Sequence, residues 1–173
     1  MKYEEFDTKE VEAIKKRVDA DAKLLTDVIY SIIKPYCEGL DEYVRFITDI
    51  LHDKDNPPTT EELEDFCMHL STDIYWASSQ CEHLGLKDDI SRAVYKEMYN
   101  TARDNESGGT VVDKNVIAEL ASQQEYLTNV CYSRAYKTMK AKVEAAQELL
   151  SSCKKVLSHR MQEEELTRIG GVR

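Results

Sequence analysis

Helix breakers are scarce in this chain, which has 3 prolines and 6 glycines among 173 residues. With charged residues at 32%, above the usual quarter, that scarcity favours long helices. No apolar run approaches the ~18 residues of a membrane span. The first ten residues, MKYEEFDTKE, are acidic and hold no apolar stretch, so they do not read as a secretory signal. Five cysteines (Cys37, Cys67, Cys81, Cys131, Cys153) are odd in number, scattered and without a CxxC pair. That pattern excludes a disulfide framework and suits buried thiols in a reducing compartment. No strand alternation of useful length occurs, since Val111-Val112 is too short, and there is no fixed-period repeat or low-complexity tract. A Gly-rich phosphate loop, GxSxG, HExxH and an EF-hand pattern are all missing, and no paired-carboxylate or nucleophile constellation replaces them. These absences describe a soluble cytoplasmic all-α protein that is not an enzyme and needs no cofactor. Its length suits one domain, or a compact helical domain with a long arm.

The apolar spacing predicts a first helix capped by Asp7 or Thr8, with Val11, Ile14, Val18, Leu25, Val28, Ile29, Ile32 and Ile33 at three- and four-residue intervals. Pro35 is expected to interrupt it. A short second helix follows, carrying Leu40, Val44, Ile47 and Leu51. The polar run from His52 to Pro58 ends in two prolines and marks a boundary, so residues 1–58 form an N-terminal helical extension. Thr59 with Glu62 is a capping box that restarts the chain. That helix runs through Leu63, Phe66, Leu70, Ile74 and Ala77 to Gly85, a candidate C′ residue. Another helix spans about Asp88 to Arg103, with Ile90, Val94, Tyr95 and Met98 inward. A turn over 104–109 leads to a long final helix from Asp113 to about Arg168. Residues 59–168 form the helical core and 169–173 a flexible tail.

The final helix sorts its charges unlike the rest. Residues 129–160 carry Arg134, Lys137, Lys140, Lys142, Lys154, Lys155 and Arg160 against Glu144 and Glu148, a net +5. The whole chain is −10, which leaves −15 elsewhere. A basic amphipathic helix on an acidic protein suits a polyanion or an acidic partner. From Tyr132 the apolar positions step 4-3-4-3-4-3-4-4 through Tyr136, Met139, Val143, Ala146, Leu150, Cys153, Leu157 and Met161. That spacing is a coiled-coil seam. Upstream, Ile117, Leu120, Leu127 and Cys131 make a similar stripe, with a stutter near Cys131. About 55 residues of helix would extend roughly 80 Å, longer than a compact domain of this size. The seam therefore needs equally long cover. The N-terminal helices supply part of it, and other copies of the chain are expected to supply the rest through Tyr136, Met139, Val143, Ala146, Leu150 and Leu157. The alternative is a monomeric bundle with the helix broken near Val130.

Lys137, Lys140 and Lys154 each follow a seam position and form a ridge of charge. With Arg134, Lys155, Arg160 and the phenols Tyr132 and Tyr136, the ridge could track a phosphate backbone while rings stack on bases. The plainer reading keeps the tyrosines in a core and the lysines as a solvated flank beside acidic residues. Cys67-Met68-His69 and Cys81-Glu82-His83 repeat Cys-x-His fourteen residues apart. Residues i and i+2 of a helix point about 200° apart, and fourteen residues span roughly 21 Å, so these pairs do not predict a metal site. Trp76 reads as a core anchor. Glu61-Glu62 and Asp88-Asp89 read as acidic pairs at helix starts.

Gly108-Gly109 before Asp113-Lys114, then Tyr132-Ser133-Arg134-Ala135-Tyr136-Lys137, then Lys154 through Met161, resembles the UvsY-like recombination mediators of phages over roughly residues 59–168. The resemblance implies a small helical protein that assembles into a ring. It also implies binding of single-stranded DNA and help for a RecA-type recombinase in replacing single-strand-binding protein. Its DNA contacts would be basic, which selects Arg134, Lys137, Lys140, Lys154, Lys155 and Arg160. Residues 1–58 have no counterpart in that pattern. Two other readings stand beside it: a virion or scaffold component held by the same seam without DNA affinity, and an acidic inhibitor that mimics DNA.

Overall fold

The computed structural model describes residues 8–170, and among them every long element is a helix. Helix α1 spans Thr8–His52, α2 Thr60–Asn105, α3 Val111–Ala121 and α4 Gln123–Gly170. No described helix is long and apolar enough to cross a membrane. In place of short helices laid on one long rod, three helices of 45, 46 and 48 residues lie along one another. The most extensive pairing is that of α2 with α4. The core draws on all three: Ile33, Cys37, Leu40 and Ile47 from α1; Leu63, Phe66, Leu70, Ile74, Ala77, Cys81 and Leu84 from α2; Ala135, Met139, Val143, Ala146 and Cys153 from α4. The second half of α1 therefore belongs to the same core as residues beyond the 53–59 turn.

Two expected interruptions are absent. Helix α1 runs straight through Pro35. A proline in a helix interior costs about 3 kcal/mol, because it removes one donor and crowds the preceding turn. Burying Ile33, Leu40 and Ile47 on the shared core contributes roughly 1.5–3 kcal/mol each, which outweighs that cost. Helix α2 likewise continues through Gly85, so Asp88 and Asp89 begin no helix. Gly85 serves an approach rather than a stop: a Cβ there would lie 3.3 Å from the Tyr136 ring. The polypeptide breaks instead at Ser122, between α3 and α4, where a single continuous helix is expected. Ser122 is buried and its hydroxyl donates to the Ala118 carbonyl at 2.7 Å, a local bond that competes with regular helix geometry.

Caps behave as the local residues dictate. Thr59 accepts from the Glu62 N–H while the Glu62 carboxylate accepts from the Thr59 N–H at 2.7 Å. Thr110 and Asp113 repeat the arrangement at α3. Gly109, at φ +83°, makes the left-handed turn before it. Asp53 closes the 53–59 turn by accepting from the Asp55 and Asn56 amides. The proposed Asp7 cap lies outside the described residues, as does the tail from Gly171; Ile169 and Gly170 are still helical. Gly39 sits mid-helix with nothing near a would-be Cβ. Gly39→Ala is expected to raise stability by about 0.5–1 kcal/mol, read as a higher urea midpoint with an unchanged slope.

All five thiols are buried and free. Burial, and then a hydrogen bond to Asp41, pushes Cys37 up from 9.0 to about 11. Burial also raises the other four. A thiol whose folded pKa lies above its unfolded value stabilises the fold fully below pH ~9 and loses that contribution as pH climbs toward the folded value. Unfolding free energy is therefore expected to fall between about pH 9 and 11, as urea titrations across that range would show. Replacing Cys37 by alanine should flatten the drop.

Only the half of the bundle near the 53–59 turn has three layers. Between residues 9 and 28 of α1 every residue but Leu25 is exposed, so this arm leaves the bundle. The expected core residues Val11, Ile14, Val18 and Val28 are bare as a result. So are Ile90, Val94 and Met98 on α2, and Ile117, Leu120 and Leu127 on α3 and α4. These last would be covered only if a third helix continued along α2 and α4.

Candidate nucleic-acid interface

The seam of α4 is filled from within the chain. Met139, Val143 and Ala146 are buried, and Tyr136, Leu150 and Leu157 pack half-buried against the same cluster. The sequence assigns these six to contacts with other copies because a final helix of roughly 80 Å outruns the shorter helices expected to end at Pro35 and Gly85. With α1 and α2 unbroken, a partner of matching length exists in the chain itself.

The cations fare differently. Arg134, Lys137, Lys140, Lys154 and Lys155 are exposed, and none lies within ion-pair distance of a carboxylate among the described residues. Two other cations of the basic stretch are engaged. Lys142 donates to both carboxylate oxygens of Asp41 at 2.6 and 2.7 Å, tying α4 to α1. Arg160, half-buried, donates to the Pro58 carbonyl and fastens α4 to the turn before α2. Thr60 adds a bond to Glu164 at 3.0 Å on the same end. Arg160 is thus a structural clamp, and five of the six expected contacts remain open.

The five do not form one continuous ridge. Lys137 and Lys140 lie one turn apart. Lys154 and Lys155 follow about fourteen residues later, roughly 21 Å along the axis, with Glu144 and Glu148 in the interval. Lys140 and Lys154 stand on the flank facing α2. There Lys154 opposes the burial that raises the Cys67 thiol, and Lys140 opposes the burial and the Glu82 carboxylate that raise Cys81.

Midway along α2, between the turns of Cys67 and Cys81, two aromatic rings face solvent. Trp76 is 61% exposed and Tyr75 68%, with ring centroids 5.5 Å apart in an edge-on pair. Trp76 is therefore no core anchor. The signal for this lies in the spacing: Leu70, Ile74, Ala77, Cys81 and Leu84 hold the core line, which turns positions 75 and 76 outward. Tyr136 is half-buried against Gly85 and is held in the bundle. Tyr132 lines a groove between α2 and α4.

Two other expectations resolve on geometry. Cys67 faces the core while the exposed His69 faces the Tyr43 ring at 5.7 Å, so the Cys-x-His pair is split. No group of three or more metal-ligating side chains gathers among the described residues. Asp88, read as a helix-start acid, is instead buried in mid-helix. It accepts from Arg92 at 2.9 Å and from the Asn129 amide of α4 at 3.3 Å, pinning α4 to α2.

The arrangement offers exposed ammonium groups on α4 without ion-pair partners among the described residues, and exposed rings on α2 at a level between Lys140 and Lys154. Comparison with protein-family models, with curated proteins and with solved structures gives no match.

Proposed function

We propose that this chain is a non-enzymatic, oligomeric protein that binds single-stranded DNA along the flank shared by α4 and α2. Its work would be that of the UvsY-like phage recombination mediators it resembles: recombination and repair in the host cytoplasm, assisting a RecA-type recombinase against single-strand-binding protein. One observation carries the reading. Arg134, Lys137, Lys140, Lys154 and Lys155 are exposed without carboxylate partners, and the bare Tyr75–Trp76 pair lies between the levels of Lys140 and Lys154. Cations that meet phosphates beside rings that stack on bases form the usual construction of a sequence-tolerant single-strand site. Each chain offers two small basic clusters, so useful affinity needs several chains on one strand, whose contacts then add.

The test is fluorescence anisotropy of a labelled oligonucleotide across a salt series. With three to four phosphates met per chain, affinity is expected to fall roughly 20- to 50-fold between 50 and 200 mM salt. Replacing Tyr75 and Trp76 by alanine should weaken binding by about 10- to 100-fold while leaving the salt slope alone, because stacking releases no counterions. Absence of binding at low salt would overturn the reading.

A second reading is favoured by the exposed apolar stripes of α1 and of the distal half of α2. It makes the chain a virion or scaffold component, which predicts assembly without salt-sensitive DNA affinity.

A further inference from the structure

Two unpartnered surfaces on this molecule fit each other. The first is the α1 arm, where Val11, Ile14, Val18, Leu25 and Val28 fall on a seven-residue repeat and Asp21 takes the one polar position. All are exposed except Leu25, which is half-buried. The second is a groove between α2 and α4 lined by Lys87, Ile90, Val94, Gln124, Thr128 and Tyr132. It begins where α1 leaves: the Lys87 ammonium donates to the Tyr36 hydroxyl at 3.0 Å, and beyond that point the third layer of the bundle is missing.

We infer that the α1 arm of a second copy of this chain occupies the α2/α4 groove, so that two copies exchange arms and each completes the other's distal bundle. The groove continues the track that α1 already follows on its own chain, so the interface extends a packing mode already in place. The stripe has the 3-4 spacing that a groove between two helices accepts. Size agrees as well. At roughly 80 Å² for each half-exposed apolar side chain, five on the arm and three in the groove (Ile90, Val94 and Tyr132) give on the order of 640 Å² per contact. A reciprocal pair reaches about 1,300 Å², within the range of a specific, stable interface.

This inference does not depend on the nucleic-acid reading, and its test reads mass rather than binding. The full chain is expected to sediment as a dimer or larger closed assembly at micromolar concentration. Ile14→Asp with Val18→Asp on the arm, and separately Ile90→Asp with Val94→Asp on the groove, should each raise the dissociation constant at least about 100-fold, with circular dichroism showing retained helicity. Mixing a Val18→Cys chain with a Val94→Cys chain under mild oxidation should give a disulfide-linked heterodimer, a readout that needs no destabilising charge. A monomeric wild type would overturn the proposal. So would loss of assembly with the arm variant alone, or crosslinking of Val18→Cys only to itself, either of which means that arms pair with arms.

Discussion

A chain carrying glutamate at Lys137, Lys140 and Lys154 together is expected to lose oligonucleotide binding, with affinity falling at least 100-fold at low salt while helicity stays that of the wild type. The three ammonium groups are exposed and make no ion pair among the described residues, so no tertiary contact disappears with them. The like-charge cost beside Glu64 and Glu82 is limited to a few tenths of a kcal/mol per pair on a solvated helix surface. Binding, by contrast, loses three phosphate contacts and gains three repulsions, a change of six charges on α4. Lys96→Glu, on an exposed site roughly 30 Å along α2 from Trp76, serves as the control and should hold affinity within a few-fold. Circular dichroism with the same anisotropy titration checks both halves. Unchanged affinity of the triple variant at low salt would remove α4 as the binding surface.

The second large effect concerns the seam. Met139→Ala is expected to cost about 2–5 kcal/mol, because Met139 is fully buried between α4 and its intrachain partners and the cavity can close only in part. For a chain of this length that corresponds to a drop of roughly 5–15 °C in melting temperature. The drop should not depend on protein concentration, since the facing side chains come from α1 and α2 of the same molecule. A loss that shrinks as concentration rises would show that the seam is shared between copies after all. The arm exchange inferred above makes the opposite forecast for Ile14 and Val18, whose replacement should act through assembly and leave the single-chain core intact.

Much of the local structure was legible along the chain. The Thr59–Glu62 capping box is formed as spaced, and the 4-3 stepping of α4 faces a core as its period requires. The five scattered cysteines are all buried. The exposed cations of α4 were legible too, because polar residues off an apolar stripe have few other places to go. Less legible were Arg160, whose partner lies 102 residues away at Pro58, and Lys142, whose partner Asp41 lies 101 residues away. The outward rings of Tyr75 and Trp76 were within reach of the spacing argument, but aromatic size favoured a core assignment.

Helical identity, caps and the period of each stripe follow from interactions among residues three or four apart, and such interactions can be read without knowing where the chain goes next. The continuity of α1 through Pro35 and of α2 through Gly85 is different in kind. There a local cost of order 1–3 kcal/mol meets a packing gain set by residues distant in sequence, and the winner depends on which helices come together. The same pairing settled the rest. Because α1 and α2 stayed whole, α4 found its partners inside the chain. Because α1 then turned away beyond Val28, an apolar arm and an apolar groove were left open to solvent.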